Sequence, residues 1–174
     1  MSDASVTIRV ATAEDAALIA EMSQRTFYDT FAAANTTANM DKFLSEQFSI
    51  AMLVAEVSEP GNLFLLAECE GRPAGYARLR EDNNPPELAG LPTLEIARIY
   101  AVKEMIGQGV GKALMQAAID IARSGSKQVI WLGVWEKNET AIAFYTRWGF
   151  EKFGEHPFIL GDDVQTDWLL KREV

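Results

Sequence analysis

Hydrophobic residues recur along the chain at spacings that switch between the two-residue period of strands and the longer period of helices. A strand-like run at Val6–Val10 precedes a helix expected from Thr12 to about Thr26, where Thr12 and Asp15 approximate a helix-start box. Residues 27–39 are predicted as a helix end and a loop, and 40–48 and 50–57 as two further helices. Further strands are predicted at 64–68, 74–80, 94–102, 129–134, 150–153 and 165–170.

The most regular helical pattern begins at Gly109 to Gly111, and a shorter helix is predicted over residues 139–147. The apolar stripe of the first helix consists of Val110, Ala113, Leu114, Ala117, Ala118 and Ile121. A hairpin followed by strand, helix, strand, helix and strand indicates an α/β (α+β) fold, in which a mixed sheet carries helices on both faces. Because neither a repeat nor a linker interrupts the pattern, residues 1–174 are predicted to form a single domain.

Charge and composition exclude several classes of protein. The chain holds 16 Lys and Arg against 25 Asp and Glu, a formal net charge of −9, so direct contact with nucleic acid is not expected. Hydrophobic residues make up 48% of the chain, which excludes a disordered or low-complexity protein. The acidity is compatible with a cationic partner, although most acidic proteins are simply soluble.

Cys69 and His156 are the only residues of their types, which excludes an intrachain disulfide and a His/Cys zinc site. We therefore expect no metal, and we read Cys69 as a core residue and His156 as structural. Neither a signal peptide nor a membrane-spanning run is evident, which predicts a cytoplasmic protein without a membrane partner. The oligomeric state is left open, with a homodimer as one option.

A glycine-rich segment between a strand and the strongest helix is the most informative part of the sequence. Gly107, Gly109 and Gly111 would let the backbone approach a ligand closely, and a helix start offers N–H donors to a phosphate. The triphosphate-binding loop is excluded by its spacing and by Ala113 at the hydroxyl position. The dinucleotide fingerprint fails because Lys112 occupies the place of its last glycine.

This segment resembles the coenzyme A loop of the GNAT acetyltransferases, [RQ]-x-x-G-x-[GA], with Ile106 as a departure at the first position. A second pattern of that superfamily, N-x-x-A-x-x-x-Y-x-x-x-G-F, is matched by Asn138, Ala141, Tyr145, Gly149 and Phe150. Segments 27–31, 98–100, 131–138 and 160–167 are similar to the PaiA-type polyamine acetyltransferases. The resemblance implies a mostly antiparallel mixed sheet, splayed at its central parallel strands to admit acetyl-coenzyme A.

The resemblance also assigns residues to the cofactor. Tyr145 would give a proton to the departing sulfur, and Asn138 would cap the helix that carries it. An extended cofactor arm would pair with strand backbone as an added strand does. The expected coenzyme A contacts are Ile99, Tyr100, Ala101, Val102, Ile106, Gly107, Gln108, Gly109, Val110, Gly111, Lys112, Asn138 and Ala141.

Several members of the family that the chain resembles have a carboxylate base near the position of Glu95. A base is needed because an ammonium group with a reference pKa of about 10.4 must lose a proton before it attacks. The alternative for Glu95 is a solvated or salt-bridged residue, with Arg98 as the candidate partner. The amine is expected to meet Phe27, Tyr28, Phe31, Glu81 and Trp135. Phe27 and Phe31 are also suited to ordinary helix packing. Negative charge near the amine is expected from Asp29, Glu81, Asp82, Glu136, Asp162, Asp163 and Asp167.

The sequence therefore predicts an N-acetyltransferase that moves acetyl directly from acetyl-coenzyme A to a primary amine, with spermidine or spermine as the expected acceptor. Direct transfer is favoured because no cysteine–histidine pair is available for a covalent acyl-enzyme. Protein N-termini, lysine and other small amines are the alternative acceptors, and a non-catalytic sensor of acetyl-coenzyme A or polyamine is the alternative class. Since the cofactor is polyanionic, Lys112, Lys137 and Arg147 are expected to gather near it, with the acidic excess toward the acceptor.

Overall fold

The computed structural model describes residues 5–174, so residues 1–4 of the predicted domain lie outside the described part. Its strands and helices follow one another in the order that the hydrophobic pattern predicts. The strands are β1 Val6–Val10, β2 Asn62–Cys69, β3 Arg72–Arg80, β4 Thr93–Ala101, β5 Val129–Trp135, β6 Glu151–Leu160 and β7 Asp163–Glu173. The helices are α1 Ala16–Phe31, α2 Thr37–Gln47, α3 Ile50–Ser58, α4 Val110–Ser124 and α5 Glu139–Arg147.

The described strands form one sheet in the order β1-β2-β3-β4-β5-β7-β6. Every neighbouring pair is antiparallel except β4 and β5, which run parallel. Their pairing extends only from Thr93 opposite Val129 to Glu95 opposite Trp131, although both strands continue well beyond it. The two strands therefore splay apart in the middle of the sheet. The predicted fold class, a mixed sheet opened between central parallel strands, is confirmed.

A β-bulge in β4 decides which side chains face each side of the splay. Arg78 pairs with Arg98 and Leu79 with Ile96, so Ala97 has no residue opposite it in β3. Before the bulge, Leu94 and Ile96 pack on the face of the sheet that helix α4 covers, and after the bulge Ile99 and Ala101 pack on that same face. Tyr100 packs instead into the core beneath α1, α2 and α3.

Each face of the sheet has its own hydrophobic core. Helix α4 covers one face, and its buried stripe is centred on Leu114, Met115, Ala118 and Ile119. Met115 and Ile119 were not part of the predicted stripe. Helices α1, α2 and α3 cover the other face around Phe27, Phe31, Met40 and Leu53. The site described below lies where the splay connects the two faces.

Two segments differ from the sequence-based expectation. Helix α1 continues to Phe31, and α2 begins at Thr37, because the buried faces of Phe27 and Phe31 favour helix where their local composition suggested a loop. Strands β6 and β7 are longer than predicted. Pro157 is tolerated because β6 pairs only with β7 and lies at the sheet edge.

Candidate active site

A cavity of about 770 Å³ opens at the splay between β4 and β5. It runs from the glycine segment at the start of α4, past α5, to the aromatic side chains of α1 and α2. Of the predicted coenzyme A contacts, Val102 and Gln108 are absent from its walls among the described residues. Those that line it are Ile99, Tyr100, Ala101, Ile106, Gly107, Gly109, Val110, Gly111, Lys112, Asn138 and Ala141.

The glycine segment forms a cradle at one end of this cavity. Gly109 precedes α4 in the left-handed conformation, with φ of +83°, and a Cβ there would meet no described atom within 4 Å. The N–H of Ala113 donates to the Gly109 carbonyl at 3.0 Å, so the N–H groups of Val110, Gly111 and Lys112 point out of the first turn. A helix start with free donors and an open glycine surface suits a phosphate group.

Positive charge at this end comes from Lys112 and Arg147, which both line the cavity. Lys137, the third cation expected near the cofactor, is not part of the lining described. A Cβ on Gly111 would lie 3.5 Å from the Phe144 ring, an ordinary contact. The cradle therefore requires glycine at position 109 for its backbone conformation, whereas position 111 has room for a methyl group.

Tyr145 stands between the two ends of the cavity. It is held on α5, whose first turn is capped by Asn138, because the Asn138 Oδ1 accepts the Ala141 N–H at 3.2 Å. Its ring packs edge-on against Phe144 and Phe150, and only 8% of the residue is exposed. Burial raises the pKa of Tyr145, so its hydroxyl keeps its proton at neutral pH.

Aromatic rings form the other end of the cavity. Phe27 stacks on Phe31 and on Phe43, each at 4.3 Å between ring centroids, and Phe31 lies 5.0 Å from Trp135. The rings of Phe27, Phe31 and Trp135 also line the cavity, so they serve as both packing and wall. Tyr28 is directed outward and is 54% exposed.

The structure does not bring the predicted carboxylates Glu95 and Glu81 into the described lining of this cavity. The Glu95 carboxylate accepts hydrogen bonds from Arg80 at 2.7 and 3.0 Å and from Asn83 at 2.9 Å. A base at this position would have to release those donors first. The partner of Glu95 is thus Arg80 rather than Arg98. Glu81 forms an ion pair with Lys127 at 3.1 Å.

A second groove of about 580 Å³ continues from the aromatic end. The two share Phe43, Phe48, Ala97, Arg98 and Phe158 as walls. At its base the Glu56 carboxylate accepts from Arg98 at 2.8 and 3.1 Å and lies 3.4 Å from the Arg78 guanidinium. This buried ion cluster was not predicted, because its members are far apart in sequence.

Asp167 is the one predicted acidic residue that the structure places in the described wall of the cavity. Its Oδ2 lies 3.5 Å from Nε2 of His156, on the neighbouring strand β6. From the sequence, Asp167 was expected only as one of several acidic residues near the amine, and His156 was expected to be structural. Their pairing depends on the β6–β7 register, which no local signal specified.

Among residues 5–174, no group of His, Cys, Asp and Glu side chains is arranged to hold a metal ion. No helix in the same part of the chain is long and apolar enough to cross a membrane.

Fold and site together are those of a coenzyme A-dependent acyltransferase: a sheet splayed beside a glycine cradle suited to phosphate, with a buried tyrosine at the junction. The model of the Acetyltransferase (GNAT) family matches residues 19–150. The chain therefore belongs to the GNAT family of acetyltransferases, and acetyl-coenzyme A is its acetyl donor.

The relatives agree with this assignment. The chain is 43% identical over 151 residues, 87% of both chains, to an uncharacterized N-acetyltransferase in the pepI 3′ region of Lactobacillus delbrueckii subsp. lactis. It is 31% identical over 100 residues, 57% of this chain and 58% of the relative, to the N-alpha-acetyltransferase RimI of Mycobacterium tuberculosis. The crystal structure of a PaiA N-acetyltransferase from Thermoplasma acidophilum in complex with coenzyme A superposes with a TM-score of 0.79 at 21% identity, covering 98% and 99% of the two chains.

Proposed function

We propose that this protein transfers acetyl directly from acetyl-coenzyme A to a primary amine, with a polyamine as the first acceptor to test. The observation that carries the proposal is the continuity of one cavity from the glycine cradle to the aromatic wall, with Tyr145 between them. Bound at the cradle, acetyl-coenzyme A would supply a thioester carbonyl to a nucleophile entering from the aromatic end. No covalent enzyme intermediate is required by this arrangement.

Separate residues of the chain would bind the cofactor and donate the proton. The N–H groups of Val110, Gly111 and Lys112 would bind the pyrophosphate, while Arg147 would offset its charge. As the amine nitrogen forms its bond to the carbonyl carbon and the carbon–sulfur bond breaks, the Tyr145 hydroxyl would donate its proton to the sulfur. The proton that the nitrogen of the new amide loses would then restore the Tyr145 hydroxyl. The raised pKa of Tyr145 keeps that proton available at neutral pH.

A polyamine acceptor is supported by the aromatic wall of the cavity, whereas the acidic excess of the chain does not gather in the described lining. Phe27, Phe31 and Trp135 can contact methylene groups and ammonium groups alike, and Asp167 adds a negative charge to the same wall. The similarity to the PaiA-type acetyltransferases favours the same acceptor. Spermidine should then be acetylated with a kcat/KM well above that for a peptide with a free N-terminus.

A peptide N-terminus is the second candidate, because the groove beyond the aromatic wall could hold residues that follow an acetylated α-amino group. The similarity to RimI favours it as well. Acetylation of spermidine, spermine and an N-terminal peptide, each followed by mass spectrometry, separates the candidates. Turnover of the peptide without turnover of either polyamine would contradict the polyamine proposal. Binding of acetyl-coenzyme A without turnover of any amine would favour a sensor.

A further inference from the structure

Asp167 and His156 form an acid–base pair on the acceptor side of the splay. The two residues lie opposite each other in the β6–β7 ladder, so their side chains project from the same face of the sheet. On the next strand, β5, Asp167 is opposite Trp135, another residue of the cavity wall. Asp167 and the aromatic wall thus line the space through which an amine would reach the carbonyl, and His156, outside the described lining, contacts Asp167.

Gly133 on β5 leaves room for this pair. A Cβ at position 133 would lie 3.4 Å from the His156 Nε2 and 3.5 Å from the Asp167 Oδ2. Gly133 itself lines the cavity and is exposed. The side chains of the pair therefore lie against a glycine that is itself part of the cavity wall.

Asp167 has an unused hydrogen-bonding atom. Its Oδ1 is buried and has no hydrogen-bond partner among residues 5–174, and the same holds for the neighbouring Trp135 Nε1. A buried carboxylate oxygen without a donor is costly, and an ammonium group supplies the donors that it lacks. Glu56 and Glu95, two other carboxylates near the acceptor side, are already engaged by arginine.

We propose that the Asp167 carboxylate binds the ammonium group of the acceptor and that His156, beside it, receives the proton which the amine must lose. This rests on the proposed function and names the binding and proton-accepting groups for its acceptor. The proton passes from the ammonium nitrogen to Asp167 Oδ2 and from that same oxygen to His156 Nε2, 3.5 Å away, which accepts it when the neutral imidazole carries its own proton on Nδ1. The neutral amine then has the lone pair that forms the new C–N bond.

His156 is suited to return that proton to water, because 44% of its side chain is exposed. The pKa of His156 is raised, first by its contact with Asp167, against a smaller lowering by burial. Glu95 on β4 and Glu87 in the loop before it raise the pKa further through their charges. The neutral imidazole is the accepting form, so the activity it supports must increase as the pH rises through the His156 pKa.

A titration tests the binding step without turnover. Since the chain has one histidine, the Cε1–H resonance of the untagged protein reports His156 alone. Propylammonium serves as a generic primary ammonium, and 1-propanol as its uncharged counterpart at equal ionic strength. We expect propylammonium to lower the His156 pKa in wild-type protein, because a cation beside the pair disfavours the imidazolium, and 1-propanol to leave it unchanged.

Two variants assign the effect. In Asp167→Asn the His156 pKa should fall toward its ordinary value and should no longer respond to propylammonium. Glu155→Gln removes one negative charge from an exposed neighbour on β6, which is paired with Lys152, and should preserve the response. An unresponsive wild-type resonance, or an equal response in Asp167→Asn, would overturn the assignment of the ammonium site.

Kinetics test the proton step with the best amine from the acceptor panel. His156→Gln should lower kcat/KM by about 10² at neutral pH, the lower end of what general base catalysis contributes. The deficit should shrink toward pH 10, where the amine loses its proton unaided, while affinity for acetyl-coenzyme A stays unchanged. A deficit that is constant with pH would indicate a structural role and contradict the proton step. If wild type acetylates no amine, the proposed function fails, and the titration alone still decides the ammonium site.

Discussion

The two ends of the cavity are built in different ways. The cofactor end uses backbone groups and two short segments, the loop before α4 and the start of α5, that carry recognisable sequence patterns. The acceptor end gathers side chains from α1, α2, β4, β5, β6 and β7. A backbone cradle tolerates side-chain change, which explains why Ile106 can stand at a position where the family pattern has Arg or Gln. Binding to an acceptor wall made of side chains depends on the identity of each residue in it.

The largest expected effect tests whether the acceptor end depends on its buried charges. Glu56→Ala should lower the free energy of unfolding by about 3 kcal/mol, because Arg78 and Arg98 would remain buried without their shared carboxylate. Urea unfolding measures the change. Glu68→Ala, which removes a partner of Arg9 at the surface, should leave the free energy of unfolding nearly unchanged. Equal losses of unfolding free energy in both variants would show that the buried cluster contributes no more to stability than the surface pair does.

At the junction of the two ends, Tyr145→Phe should lower kcat by about 10², the loss expected when a general acid is removed. Affinity for acetyl-coenzyme A should change little, since the ring and its packing on Phe144 and Phe150 are retained. Steady-state kinetics and calorimetric titration with coenzyme A measure the two quantities. An unchanged kcat would remove the acid role from Tyr145.

A methyl group at the acceptor wall should affect acetyl transfer but not folding. Gly133→Ala places its Cβ against His156 and Asp167, at ordinary contact distances. We expect kcat/KM for the amine to fall about tenfold through displacement of the entering nitrogen, with the melting temperature nearly unchanged. Gly125→Ala at the end of α4 is the control, because its Cβ would make ordinary contacts with Ile121 and Lys127, outside the described cavity walls. Similar kinetics in both variants would contradict a role for the wall at Gly133.

The smallest effect compares two glycines of the cradle. Gly109→Ala forces a side chain into a left-handed conformation and into open space beside the helix start, so acetyl-coenzyme A affinity should fall about fivefold, or about 1 kcal/mol. Gly111→Ala makes only an ordinary contact with Phe144 and should bind nearly as wild type. Calorimetric titration distinguishes them. Equal affinities would show that the conformation at position 109 is not limiting.

Prediction from sequence succeeded where the signal was local. Residues 139–147 were predicted as a helix and form α5, and the strand preceding the glycine segment was placed within a residue or two of β4. Most predicted coenzyme A contacts line the cavity, because glycine spacing and a helix start are properties of neighbouring residues. The extent of α1 and of the β6–β7 hairpin was misjudged, since burial of Phe27 and Phe31 and pairing at the sheet edge override local composition.

The sequence by itself determined the order of strands and helices, the family and the position of the glycine cradle, because periodicity, glycine conformation and helix-start donors depend on residues close along the chain. Only the tertiary structure decided which charges meet. It paired Glu95 with Arg80, enclosed Glu56 between Arg78 and Arg98, and set His156 against Asp167 beside Gly133. Those contacts follow from strand register and from the bulge in β4, where a shift of one residue would turn each side chain to the opposite face.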